Sequence, residues 1–501
     1  MWLNPTDYDA PGGELDKNQN TYTKHTGQWL PQTEQYKKLF SSSEIGLMWI
    51  QGIPGSGKSV IAARIITELS QSGVPLCYFF FREIRQRNRT QRQMVIDWLA
   101  QLITVHPPSA TRLLQLHKEG SNSDSNSIST VILWSIFCDA VRSMRKVYLV
   151  IDALDEMDPS ETKACVADLG ALAIHNSHGI KIIVTSRPNP EVQNGFKGIT
   201  AMVSLRLDCN AINSDVRWYA SQRLQDSTNT RSMDDEAREN LVDDLLSRGK
   251  GLFLYVKLAL DEIIQPEDEL QYSAGMVSTL PDGIVAMYSY LLDKHRKASG
   301  MTTQKQVLVL QVLLYSAGTV SLTMLSNILN MNQGEVGLEM PILQTKAIIR
   351  RICGPLLDIK EETVNPVHHS FTEYLTNKNG VRGLDVGDFP ILTIAEGHKV
   401  LCDLCITYLN YESFKKPGVD MRPTKSGCIV RGLSSEAIGR NEKWPFRKYA
   451  IYNWGLHARN GNVEDDTMFH KMTAHLETEG SVFTQLRGLR FREKTNMSCG
   501  G

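Results

Sequence analysis

The eight residues GIPGSGKS, from Gly52 to Ser59, constrain this chain more than any other part of its sequence. They match the phosphate-binding pattern G-x-x-x-x-G-K-[ST]. They also lie between an apolar run typical of a buried strand, LMWIQ, and a run typical of a helix, VIAARIITELS. Glycines let such a loop turn tightly and point its N–H groups inward, and the helix N-terminus adds a positive dipole. The stretch therefore predicts a phosphate site at a strand-to-helix turn.

Within this loop, Lys58 would reach the β- and γ-phosphates of a nucleotide, and the Ser59 hydroxyl would hold Mg²⁺. A glycine-rich turn at the start of a helix is the alternative, but the strand and helix patterns around the loop favour nucleotide binding. The residues predicted to bind the nucleotide are Gly52, Pro54, Gly55, Ser56, Gly57, Lys58 and Ser59.

An acidic motif follows a later apolar run, because VYLVID ends in Asp152 and continues as DALDE to Glu156. Ligands bind at the carboxyl ends of parallel strands, so Asp152 suits the Mg²⁺ shell, usually through water. Asp155 and Glu156 could orient or deprotonate an attacking water. An acidic turn after a strand is a weak signal alone, but together with the phosphate loop it predicts a Mg²⁺–nucleotide site.

The next apolar run, KIIVTS, delivers Arg187 just before a proline. A cation at this position could sense or stabilise the charge of the γ-phosphate, so Arg187 joins Asp155 and Glu156 as a candidate catalytic residue. A surface arginine in a proline-terminated loop is the alternative.

Strand and helix patterns alternate from Gly46 to Leu207 and predict an α/β P-loop NTPase fold with a doubly wound parallel sheet. The strands are near-continuous apolar runs, as expected for strands buried on both faces. The predicted strands are LMWIQ, Pro75–Phe81, Val147–Asp152, Lys181–Ser186 and Ala201–Leu207.

Helical patterns dominate after Leu207, and short helices followed by PLLDIK and TVNPVHHS predict a winged-helix-like unit. The polar stretch Gly120–Ser129 predicts a flexible insertion. The predicted division is a flexible lead-in (1–25), an NTPase core (26–207), a helical domain (208–297), a winged-helix-like domain (298–385), a second helical domain (386–480) and a poorly ordered tail (481–501).

A net charge of −1 argues against a general nucleic-acid binder, because there is no overall excess of cations. The basic stretch Arg82–Arg92 is interpreted as a solvated loop and helix face. The chain has no run of 18 apolar residues, so we expect no membrane span. Nine cysteines without framework spacing indicate free thiols and a cytoplasmic location, and the pair Cys402 and Cys405 is expected to be buried in a helix.

Together, the motifs G-x-P-G-S-G-K-S, D-A-L-D-E and T-S-R-P resemble the NACHT class of signal-transduction ATPases with numerous domains, or STAND class. The lead-in HTGQWL and the segments GLFLYVKLALDEI, LPDGIVAMYSYLLD and WPFRKYAIYNWGLHAR resemble its fungal branch. The resemblance covers roughly residues 22 to 460. It implies a nucleotide switch in which helical and winged-helix domains close over ADP, whereas ATP opens them and permits oligomerisation.

The resemblance also assigns individual residues. It places Pro281 near the base and makes His368 the candidate contact to the ADP β-phosphate, with the adjacent His369 as the alternative. Three residues of the segment HTGQWL could line the nucleotide pocket: Thr26, Gly27 and Trp29.

The resemblance implies Mg²⁺ and ATP or ADP as ligands, with GTP and GDP left open. Homo-oligomers, or hetero-assemblies with related signalling proteins, are the implied partners. The class usually adds an effector domain and repeats, so a fragment, a truncated paralogue and a regulator of other subunits are all compatible with this sequence.

Three functions remain in competition. The first is a switch with slow ATP or GTP hydrolysis, and the second is a scaffold whose nucleotide is never hydrolysed. A small-molecule kinase is disfavoured, because extensive helical modules follow the NTPase core.

Overall fold

A computed structural model describes the chain in two compact units, Met1–Ile284 and Val285–Gly501. The finer division into six segments stays a prediction. The described residues are 3–6, 8–9, 13–83, 88–119, 128–175, 179–207, 209–227, 233–264, 279–300, 303–331, 340–360, 362–383, 389–409, 420–424, 427–431 and 445–461.

The first unit is built on a five-stranded parallel sheet with the spatial order β2-β3-β4-β1-β5. Each predicted strand is confirmed, and its ends agree with the prediction to within one residue. The strands are β1 (Leu47–Gly52), β2 (Leu76–Phe80), β3 (Val147–Asp152), β4 (Ile180–Ser186) and β5 (Met202–Leu207).

Helices cover both faces of this sheet, and β1 shows why. Leu47 and Trp49 point into one buried cluster, which includes Phe137, whereas Met48 and Ile50 point into the other. Since side chains alternate along a strand, a fully apolar strand needs a cover on each side. The predicted doubly wound α/β fold is therefore confirmed.

The helices of the first unit begin and end at residues that the sequence marks well. Thr33, Thr90, Ser129 and Asp234 cap helix N-termini with their side-chain oxygens. The helices are α1 (Glu14–Thr21), α2 (Glu34–Ser41), α3 (Lys58–Ser70), α4 (Gln91–Leu102), α5 (Pro107–Glu119), α6 (Thr130–Ser143), α7 (Pro159–His175), α8 (Pro190–Phe196), α9 (Cys209–Asp226), α10 (Asp235–Gly249) and α11 (Phe253–Ile263).

Helix α1 lies inside the segment predicted to be a flexible lead-in. None of its residues is buried, so it has no apolar stripe that periodicity could reveal. Leu15 packs against a buried cluster, and the Gln19 side chain donates to Thr67 on α3, while Asn18 donates to the Glu14 carbonyl within the helix itself.

The second unit contains seven described helices and two small sheets. In the sheet β6-β8-β7, β7 and β8 follow the short helices, where the sequence analysis expected strand-like pieces, whereas β6 precedes two of these helices. The name winged helix for this region stays a prediction. The elements are α12 (Ile284–Ser299), α13 (Thr303–Tyr315), β6 (Val320–Ser321), α14 (Leu322–Met331), α15 (Ile342–Cys353), β7 (Leu357–Lys360), β8 (Thr363–Pro366), α16 (His369–Thr376), α17 (Ile394–Leu409), β9 (Asp420–Thr424), β10 (Gly427–Arg431) and α18 (Pro445–Asn460).

The antiparallel pair β9–β10 lies within the segment predicted to be helical, which is a difference from the sequence analysis. Cys402 and Cys405 are buried on α17, so that prediction is confirmed. The tail 481–501 lies outside the described residues, as does the polar insertion apart from its last two positions. Within the described part of the chain, no helix combines the length and apolarity that a bilayer span requires.

We predict that Ile182→Ala destabilises the first unit by about 2–5 kcal/mol, because it opens a cavity in the middle of the sheet. Ile182 has 0% exposure and lies between Leu47 of β1 and Leu149 of β3. Ile132→Ala is the matched control, since Ile132 is 45% exposed. Thermal unfolding followed by circular dichroism measures both, and equal melting temperatures for the two variants would contradict the assigned core.

Candidate functional site

The predicted phosphate loop connects β1 directly to α3 in the structure. Gly55 and Gly57 have φ angles of +78° and +87°, a left-handed backbone that side chains with a Cβ rarely adopt. Gly57 is the N-cap of α3 and offers no side-chain oxygen to the N–H groups of the first helical turn. These donors remain suited to an anion at the helix start.

The loop is also crowded in a way that explains its small residues. A Cβ atom at Gly52 would lie 2.5 Å from the Ser56 hydroxyl oxygen, and one at Gly55 would lie 2.9 Å from the Leu254 Cβ. Among the described residues, the buried Ser56 hydroxyl has no hydrogen-bond partner. A buried hydroxyl without a partner costs free energy, which a phosphate oxygen would offset. These features fit a bound phosphate group.

Lys58 folds back over the loop that precedes it. Its Nζ donates to the carbonyl oxygens of Gly52, at 2.8 Å, and Ile53, at 2.9 Å. Burial lowers the pKa of Lys58 to about 8; nearby Asp155 opposes that shift, and Arg187 adds to it. The ammonium therefore lies close to the charges at the end of the sheet, where a phosphate would favour its charged form.

Asp152 ends β3 and joins three other segments of the first unit. Its Oδ2 accepts from the Ser59 hydroxyl at 2.7 Å and from Arg82 Nη1 at 3.1 Å, while its Oδ1 accepts from the Thr185 hydroxyl at 2.6 Å. The residue is only 1% exposed. A carboxylate so far from water requires such partners. Ser59 and Asp152, both predicted Mg²⁺ ligands, are thus in direct contact.

The acidic turn after β3 brings together the candidate catalytic residues. Ala153 adopts a left-handed conformation, with φ +53°, which starts the short helical turn Leu154–Glu156. Asp155 Oδ1 accepts from the Arg187 N–H at 2.9 Å, and its Oδ2 lies 3.2 Å from Arg187 Nε. Glu156 Oε2 accepts from the Glu83 N–H at 3.2 Å. Asp155 and Arg187 therefore form an ion pair at the carboxyl edge of the sheet.

Arg82 is a site residue that the sequence analysis missed. It follows β2 and contacts Asp152, and its Nε lies 2.7 Å from Glu14 Oε2 on α1. The pKa of Arg82 lies above its usual value. Burial alone would lower it, but the carboxylates of Glu14 and Asp152 outweigh that effect. The interpretation of Arg82–Arg92 as a solvated loop and helix face is therefore wrong for Arg82. Its place at the end of a strand beside β3 was the available signal.

The segment Thr26–Trp29, which belongs to HTGQWL, is anchored between α3 and α9. Asp215 Oδ2 accepts from the Gly27 N–H at 2.7 Å and from Trp29 Nε1 at 2.8 Å. Arg64 of α3 donates to the Thr26 carbonyl at 2.9 Å. Asp215 carries no motif that points to this contact. The role of these residues in base binding stays a prediction.

Helix α11 lies against the phosphate loop through its first turn. The Leu254 N–H donates to the Gly55 carbonyl at 3.4 Å, and the Phe253 ring would touch a Cβ atom at Gly57. Further along, the Tyr255 hydroxyl donates to the Pro281 carbonyl at 2.6 Å. The turn that contains Pro281 is therefore anchored on α11, and its place near the base stays a prediction.

His368 belongs to the second unit, where it caps α16. Its Nδ1 accepts from the Ser370 N–H at 3.0 Å, and the Ser370 hydroxyl lies 2.8 Å from the Tyr288 hydroxyl. The adjacent His369 lies 3.6 Å from Glu373 on the same helix. A contact between either histidine and ADP stays a prediction.

Comparisons with known proteins agree with this site. Residues 25–187 match the family "Nephrocystin 3, N-terminal". The chain is 26% identical over 362 residues to the vegetative incompatibility protein HET-E-1 of Podospora anserina. The matched region covers 69% of this chain and 26% of that protein. The predicted resemblance to fungal NACHT proteins is thereby confirmed. The chain spans about a quarter of the length of that relative.

Solved structures of P-loop ATPases are also similar, at low sequence identity. A Walker-type ATPase of Pyrococcus abyssi is 11% identical, with 68% of this chain and 93% of that chain covered and a TM-score of 0.32. Cdc6p of Pyrobaculum aerophilum is 10% identical, with coverages of 85% and 95% and a TM-score of 0.32.

We predict that nucleotide affinity falls as the pH rises through the pKa of Lys58. Bound phosphates favour the charged amine, so binding is at full strength below pH 8 and weakens above it, by about tenfold between pH 7 and pH 9. Calorimetric titration at both pH values measures this change. Lys58→Arg is the control, because a guanidinium stays charged throughout. The same pH dependence in both proteins would show that Lys58 does not titrate against the phosphates.

Proposed function

We propose that this chain is a nucleotide-dependent molecular switch that binds ATP or ADP with Mg²⁺. The observation that carries the proposal is the 2.7 Å contact between the Ser59 hydroxyl and Asp152 Oδ2. It joins the two motifs that a Mg²⁺–nucleotide site needs, one at the start of α3 and one at the end of β3. Lys58 would neutralise phosphate charge, and Ser59 and Asp152 would hold the metal.

Slow hydrolysis is supported by the contacts of the candidate catalytic acids. Asp155 is ion-paired with Arg187, and Glu156 accepts a backbone N–H from Glu83. Each contact occupies an acceptor position that an attacking water would otherwise use, so the water would meet a partly engaged base. We infer that turnover is slow and that the nucleotide state persists long enough to act as a signal.

Response to the nucleotide is supported by the contact between the phosphate loop and α11. The Leu254 N–H bonds to the Gly55 carbonyl, and the Leu254 side chain leaves no space for a Cβ atom at Gly55. A loop that moves to admit phosphates would thus shift the first turn of α11. If ATP and ADP move the loop to different extents, they will differ in affinity for two forms of the protein, which a switch requires.

The output that we propose is a change between a closed form and an open, oligomeric form, in fungal incompatibility-type or immune signalling within the cytoplasm. The similarity to a vegetative incompatibility protein supports this output. His368 is proposed to contact ADP in the closed form, from the family resemblance alone. Partners would be further copies of this chain or related signalling proteins.

We predict that the purified protein carries ADP and forms larger particles with a non-hydrolysable ATP analogue and Mg²⁺ than with ADP. Chromatography of the released nucleotide, with guanine nucleotides as standards, and analytical ultracentrifugation test this. Lys58→Ala is the matched variant, because it removes the phosphate cation and should abolish both results. A protein that binds ATP tightly yet keeps one particle size in every nucleotide state would instead be a scaffold.

A further inference from the structure

A chain of two ion pairs connects the first helix to the buried end of β3. Arg82 lies between them, with Nε at 2.7 Å from Glu14 Oε2 and Nη1 at 3.1 Å from Asp152 Oδ2. The Arg82 and Glu14 side chains are 17% and 16% exposed, and the Asp152 side chain is 1% exposed. Ion pairs this far removed from water are screened less than surface pairs, so they hold their partners more firmly.

Helix α1 lies against α3 of the first unit. It buries none of its residues; Leu15 packs against the cluster beneath it, and Gln19 donates to Thr67 at 2.8 Å. A helix of eight residues is not stable by itself in water. The Glu14–Arg82 pair adds to these contacts the one described link from α1 to the buried end of β3.

The same oxygen of Asp152 serves Arg82 and the proposed metal site. Oδ2 already accepts from Ser59 and from Arg82 Nη1, so both of its lone pairs are engaged. A divalent cation at Ser59 and Asp152, directly or through its water, requires an acceptor on this carboxylate. It would also repel the Arg82 guanidinium at short range.

We propose that Arg82 is a positioning residue with two roles. It neutralises Asp152 when no metal is bound, and it couples the docking of α1 on the first unit to Mg²⁺ binding at Ser59 and Asp152. When Ser59 and Asp152 take up Mg²⁺, Arg82 loosens from Asp152, and Glu14 loses the anchored partner that holds α1. Linkage is reciprocal, so a docked α1 weakens Mg²⁺ binding by the same factor. This inference rests on the proposed Mg²⁺–nucleotide site.

Hydrogen exchange of the α1 amides, measured by mass spectrometry, tests the coupling. The full chain is saturated with a non-hydrolysable ATP analogue, once with Mg²⁺ and once with a chelator. In the parent, Mg²⁺ should speed exchange across α1 at least about fivefold, a typical lower value for coupled sites. In Glu14→Gln exchange should be fast under both conditions. Glu68→Gln is the matched control, because it also removes a carboxylate paired with an arginine at 2.7 Å, on α3, and should behave as the parent.

Mg²⁺ affinity provides the second readout. If Arg82 had only a structural role, removing it would not tighten Mg²⁺ binding. Calorimetric titration of the analogue across a series of Mg²⁺ concentrations should show at least about fivefold tighter Mg²⁺ binding in Arg82→Gln. Arg82→Lys keeps the charge but has one nitrogen for two carboxylates, so its Mg²⁺ affinity should lie between those of the parent and Arg82→Gln.

The outcomes separate the two proposals. If the analogue binds with Mg²⁺ but α1 exchanges at the same rate with and without the metal, the coupling is wrong and the nucleotide site stands. Weaker Mg²⁺ binding in Arg82→Gln would also overturn it. If the parent binds no nucleotide under any condition, the nucleotide site fails and the coupling fails with it.

Discussion

The buried carboxylate of Asp152 is the constraint on which the rest of the site depends. An unpaired charge at 1% exposure would be prohibitively costly, so the fold has to bring donors to it. Those donors come from three places that are far apart in the sequence: Ser59 at the start of α3, Arg82 after β2 and Thr185 on β4. The parallel register of β2, β3 and β4 and the turn of the phosphate loop are what make this convergence possible.

The pairing around Asp152 extends outward to the charged groups that a nucleotide would meet. Asp155 is paired with Arg187, and Arg82 is paired with Glu14, so each cation in these pairs is already held by a carboxylate. Phosphates and a divalent metal would redistribute these pairs rather than add to an unpaired set of charges. Such an exchange of partners would give the site two arrangements, one with and one without the bound ligands, as the proposed switch requires.

The sequence predicted the parts of this site that repeat a local pattern. Five apolar runs were enough to predict the sheet, and the glycine-rich loop and the acidic motif were enough to assign Ser59 and Asp152 to one Mg²⁺ site. The contact from Arg82 to Glu14 and the contact from Asp215 to Gly27 were not predicted, because they join residues 68 and 188 positions apart without a shared motif. Helix α1 was missed for a related reason, since it buries no residue and so lacks the apolar stripe that periodicity detects.

The most direct test of the central role of Asp152 is the Mg²⁺ dependence of nucleotide binding. Calorimetry would measure the affinity for a non-hydrolysable ATP analogue with Mg²⁺ and with a chelator, in the parent and in Asp152→Asn, which keeps the shape of the side chain. We expect Mg²⁺ to strengthen binding in the parent and to have little effect in Asp152→Asn. An equal gain from Mg²⁺ in both proteins would contradict the account, because the metal would then be held without Asp152.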